Sequence, residues 1–169
     1  EAGLDEDRRR DLVTGLHLLL EHLPLWPRET WGARAAALLG SPSDASQLLP
    51  EAVSVLDTPA LAPLFARGTL AEVEIAGQLG ARPLFGVIDR LVVQDGHVLA
   101  VDYKSNRVVP RDVADVPEGL LRQMGAYLQA LEQVFPGHTV EMALLWTATA
   151  ELMRLPDAPL RAAVARASA

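Results

Sequence analysis

Cysteine is absent from all 169 residues. That excludes disulfides, zinc–thiolate centres and iron–sulfur clusters, and leaves oxygen and imidazole as metal donors. A chain without thiols fits a reducing cytoplasm. No run of about eighteen apolar residues occurs, so no membrane span is expected. The first ten residues are charged and lack the basic-then-apolar order of a signal peptide. The G-x-x-x-x-G-K-[ST] phosphate loop is also missing, so these residues carry no ATP motor of their own. Positive charge is short as well: 15 Lys plus Arg stand against 22 Asp plus Glu, a formal charge of −7. A free-standing DNA binder usually shows the opposite balance. The scarcest cation is lysine, with Lys104 the only one in the chain.

What is present suffices for a core. Half of the residues are apolar, and the length suits one domain spanning residues 1–169. Leu12, Val13, Leu16, Leu19, Leu20 and Leu23 follow three-and-four spacing and predict an amphipathic helix over 5–23, closed by Pro24 and Pro27. Residues 28–39 and 44–56 read as two more helices, with Ser43 or Asp44 as N-cap. From residue 70 the period changes. Strands are predicted over 70–76, 84–93 and 98–104, the last two joined by Asp95-Gly96, a hairpin signal. Phe85, Val87 and Leu91 on one side, with Ile88 and Val92 on the other, predict a central strand covered on both faces. A helix over 118–135, strands over 139–147 and 151–155, and a helix over 158–166 complete the order.

If Asp95 and Gly96 form a two-residue turn, Gln94 faces His97, and counting outward sets Asp89 opposite Asp102. Opposed residues on one sheet face have Cβ atoms roughly 4.5–5.5 Å apart, and like charges there are destabilising. Strand alternation adds Lys104 to the same patch. Two carboxylates and the lone ammonium in an apolar setting have the form of a divalent-metal site. A buried Lys–Asp ion pair with the second Asp at the strand end is the plainer alternative. Glu72 and Glu74 share a face of the preceding strand, and a return through Gly80 brings Glu72 beside Asp89. A solvated edge explains either Glu equally simply. His17 borders the apolar stripe of the first helix, a place that suits an ordinary core or boundary histidine. Gln123 and Tyr127, four apart, project from one face of a later helix, where mutual hydrogen bonding accounts for them.

Taken together, Gly86-Val87-Ile88-Asp89-Arg90-Leu91, then Asp102-Tyr103-Lys104-Ser105-Asn106, then Gln123 with Tyr127 closely resemble the nuclease domain of the AddA and RecB helicase–nucleases, of the PD-(D/E)xK superfamily. Residues 16–24 and 71–73 resemble the AddA side most. Ser105 departs from the more common Thr, and Glu74 adds a second acid beside Glu72.

The resemblance implies an α/β fold with a restriction-endonuclease-like core: a mixed central sheet flanked by helices in αβββαβ order. It implies that His17, Glu72, Asp89 and Asp102, with the Tyr103 carbonyl, surround the metal, that Asp89, Asp102 and Lys104 are catalytic, and that Gln123 and Tyr127 lie beside the substrate. Hard oxygen donors suit Mg²⁺, and one imidazole makes Mn²⁺ competitive. The expected activity is DNA phosphodiester hydrolysis, exonucleolytic, in double-strand break repair. The chain is expected to be the C-terminal part of a longer helicase–nuclease. Its partners are then a single DNA strand, helicase domains of the same chain and an AddB-like subunit, with no membrane. A catalytically inactive scaffold or DNA-end-binding module is the alternative.

Overall fold

The computed structural model describes residues 2–168, which divide into two compact units between Arg67 and Gly68. The first is helical: α1 (Ala2–His22), α2 (Trp31–Leu39) and α3 (Pro42–Leu56), with 3₁₀ turns at Leu23–Leu25, Arg28–Thr30 and Pro59–Phe65. Gly15 lets α1 and α3 approach, because a Cβ there would lie 2.8 Å from Leu48. An ion pair of 2.6 Å between Arg8 and Asp44 spans the same two helices. The cap of α3 is Ser41, earlier than the expected Ser43 or Asp44. Its hydroxyl accepts the Asp44 N–H at 3.3 Å, and Pro42 at the first helical position fixes the start.

The second unit is a five-stranded mixed sheet in the order β1 (Leu70–Leu79), β2 (Arg82–Gln94), β3 (His97–Lys104), β4 (Thr139–Trp146), β5 (Glu151–Leu155). Only β3 and β4 run parallel, in register from His97↔Thr139 to Lys104↔Trp146. A parallel pair needs a crossover, and α4 (Glu118–Val134) supplies it, with α5 (Asp157–Ala167) following β5. Leu121, Met124, Leu128 and Leu131 of α4 meet Leu91, Val98, Ala100, Met142 and Leu144 of the sheet in one buried core. No single helix among the described residues is long and apolar enough to cross a membrane. The Asp-Gly hairpin forms as expected, with Gln94↔His97 its first pair and both turn residues at positive φ.

The covered face expected for Phe85 and Val87 with Leu91 does not form, since the two are 76% and 41% exposed. Side-chain alternation along β2 is interrupted. Gly86 faces α4, since a Cβ there would strike the Tyr127 ring. Leu91, an odd number of residues on, faces the same helix core. A strand that alternates strictly cannot present both on one side. The interruption falls at Asp89 and, on the neighbouring strand, at Glu72, whose φ is +50°. Pairs run unshifted on either side, Ala71↔Arg90 and Val73↔Ile88, so no residue is inserted.

Candidate active site

The site is built where this irregularity meets the end of the β2–β3 ladder. Pairing of the two strands stops at Arg90↔Val101, one step before Asp89 and Asp102. There the Asp89 carboxylate takes over, its Oδ2 accepting the backbone N–H of Tyr103 at 2.7 Å. Asp89 is 7% exposed. Burial of an ionised carboxylate is costly without such partners. On the other side, a carboxylate oxygen of Glu72 lies within 4.8 Å of one of Asp89. Glu74 is exposed and pairs with Val87, two positions away from Glu72. Of the two acids on β1, Glu72 is therefore the one beside Asp89.

Asp102 sits next in the row, its side chain 15% exposed. Burial, then the neighbouring charge of Asp89, push its carboxyl up to about 6, with Lys104 pulling the other way. Lys104 Nζ lies 3.0 Å from Asp102 Oδ2, yet that buried oxygen receives no hydrogen bond from any described residue. The contact is an ion pair within the buried row. It offsets part of the carboxylate's charge, and Asp102 still titrates above the usual carboxylate range. A buried acceptor without a donor is what a cation ligand requires. With Glu72 and Asp89 alongside, the donors are hard oxygens and fit a hard divalent cation.

The positions of Asp102 and Lys104 are fixed from the far side of β3. The parallel ladder to β4 runs through Lys104↔Trp146, and Thr147 binds the Lys104 carbonyl through its N–H at 2.9 Å and its hydroxyl at 3.2 Å. Helix α4 brings up Gln123, whose Nε2 donates to the Tyr127 hydroxyl at 3.2 Å. Burial raises the phenol's pKa, and the nearby charge of Asp102 raises it further. A Cβ on Gly86 would stand 2.5 Å from the Tyr127 ring and 2.7 Å from its oxygen, so only glycine lets the phenol lie over β2. Lys104 and Gln123 also border one open cleft with Asn106, Leu120 and Trp146. His17 belongs to the helical unit, half-buried on α1.

Sequence reasoning missed the Asp89–Tyr103 bond and the Thr147 brace, because both depend on where a ladder ends. It also missed the role of Gly86, although a glycine inside a strand is a signal of close approach.

The fold agrees with what comparison finds. Residues 8–167 match the family model described as PD-(D/E)XK nuclease superfamily, and the chain belongs to that superfamily. Among solved structures it is similar to a presumed exonuclease from Eubacterium rectale, with a TM-score of 0.58 at 12% identity. The match covers 87% of this chain and 63% of that one. A second, SSO0001, aligns at a TM-score of 0.38 and 15% identity, over 95% of this chain and 83% of its own. No curated protein matches.

Proposed function

We propose that the chain is the DNA-hydrolysing part of an AddA-like helicase–nuclease, cleaving a single strand delivered by a motor during double-strand break repair. The observation that carries the reading is Asp102 Oδ2, buried, without a hydrogen-bond donor, and flanked by Asp89 and Lys104. In this reading Glu72, Asp89, Asp102 and the Tyr103 carbonyl, joined by His17, hold Mg²⁺ or Mn²⁺. When bound, such a cation lowers the pKa of a water and neutralises phosphate charge. The chain's own residues do the rest. Asp89 and Asp102 orient the attacking water, and Lys104 sets its direction and balances charge growing on the phosphate oxygens. An arginine there would stay protonated and present a fork, whereas lysine offers a compact charge. Gln123 and Tyr127 line the path of the strand.

The charge of −7 argues that a basic channel comes from elsewhere, from helicase domains of the same chain and an AddB-like subunit in the cytoplasm. The inactive-scaffold alternative loses ground because both aspartates, Glu72 and the lysine are all retained. The test is cleavage of linear single-stranded DNA with Mg²⁺ and with Mn²⁺. Loss of cleavage in Asp102→Asn supports the reading, and undiminished cleavage in that variant rejects it.

A further inference from the structure

Arg90 is a buried cation that the proposed chemistry does not use. It is 4% exposed and sits beside Asp89 in the chain. Its Nε donates to the Tyr103 hydroxyl at 3.2 Å, and Nη1 reaches Thr69 Oγ1 at 3.5 Å. Tyr103 is itself 4% exposed and is held at a second point, its N–H on Asp89 Oδ2 at 2.7 Å. One residue is thus gripped by two consecutive residues of β2, Asp89 at its backbone N–H and Arg90 at its hydroxyl.

The location gives this grip a consequence. β3 is secured to β4 as far as Lys104↔Trp146, but its ladder to β2 ends at Arg90↔Val101. Beyond that pair no regular strand hydrogen bond sets the spacing between Asp89 and Asp102. A two-carboxylate centre needs that spacing held within about half an ångström. An apolar residue of similar volume would fill the Arg90 position without the desolvation penalty of a buried guanidinium. We infer that Arg90 is a positioning residue: by holding the Tyr103 hydroxyl it locks β2 against β3 and sets Asp89 against Asp102. The inference concerns the centre proposed above and rests on that reading for its catalytic consequence.

Tyr103→Phe tests it most gently, since it removes one oxygen and keeps the packing. In the metal-free protein, amide exchange at residue 103 followed by NMR is expected to quicken by about tenfold, the scale of one lost hydrogen bond to a charged group. Cleavage of single-stranded DNA with Mn²⁺ should lose about tenfold in kcat with KM unchanged. Arg90→Met should match it, Arg90→Lys should recover part of the loss, and the Tyr103→Phe, Arg90→Met pair should be no worse than either alone. If Arg90→Met does not fold, Tyr103→Phe still decides. Wild-type exchange at residue 103 together with wild-type kcat in Tyr103→Phe overturns the inference. A parent protein that does not cleave DNA at all counts against the nuclease reading instead, and the exchange measurement then still judges the clamp.

Discussion

The ammonium of Lys104 stands 3.0 Å from Asp102 Oδ2 without donating it a hydrogen bond. The lysine offsets its neighbour's charge within the buried row. Replacing Lys104 by Met is expected to lower DNA cleavage by about 10²–10³-fold, the usual loss for one preorganised charge at a reacting phosphate. Calorimetric Mn²⁺ affinity should change far less. Equal losses in affinity and rate would instead make Lys104 a structural counter-ion.

The raised pKa of Asp102 has a sign that stability can read. Its folded value, about 6, exceeds an ordinary carboxyl's, so the folded state holds the proton more tightly. The stability contributed is complete below about pH 4, and is lost as pH rises through about 6. Asp102→Asn should therefore stabilise the metal-free protein at pH 8, by no more than ~3 kcal/mol. The difference in Tm from the parent should close on approach to pH 4. A constant difference across that range would remove Asp102 as its source. For the same reason Mn²⁺ affinity should fall steeply below pH 6 in the parent, since the cation competes with that proton.

Glu72 occupies the left-handed region at φ +50°, where a side chain costs about 1–2 kcal/mol. Glycine has no such penalty but loses more entropy on folding. Glu72→Gly should leave thermal stability unchanged or raise it by up to ~1 kcal/mol. It should nevertheless reduce metal-dependent cleavage by at least about tenfold. Full activity in a stabilised Glu72→Gly variant would place the strain outside the chemistry.

Gly86 and Tyr127 form the tightest packing beside the site. Gly86→Ala should destabilise by about 1–3 kcal/mol through overpacking against the phenol. Adding Tyr127→Ala should relieve part of that cost, giving a coupling of about 1 kcal/mol in a thermal double-mutant cycle. Simple additivity would mean that the methyl group is accommodated elsewhere.

Much of this arrangement was legible in the residues. The Asp95-Gly96 turn sets the register as counted, with Gln94↔His97 the first pair, although the regular ladder ends at Arg90↔Val101, one step short of the expected Asp89–Asp102 pair. Helix α4 and strands β3 to β5 fall within two residues of expectation, since their apolar periods are long and their stops are marked by Pro136-Gly137 and Pro156. What escaped was local and cooperative. Phe85 and Val87 look like core residues, because strict alternation is the only rule a sequence offers. The departure at Asp89 and Glu72 arises from a left-handed residue that is not glycine, for which the sequence carries no local signal. The 3₁₀ turn Pro59–Phe65 was likewise unread, its prolines suggesting only a break.

The most direct test is titration of Mn²⁺ into the metal-free protein by calorimetry, alongside the Asp89→Asn and Asp102→Asn variants, each first checked for native folding. The parent should bind Mn²⁺ with release of a proton near pH 6, and both variants should lose at least about tenfold in affinity. Unchanged binding in the two folded variants, or none in the parent, would contradict the account of this acidic row as a metal centre.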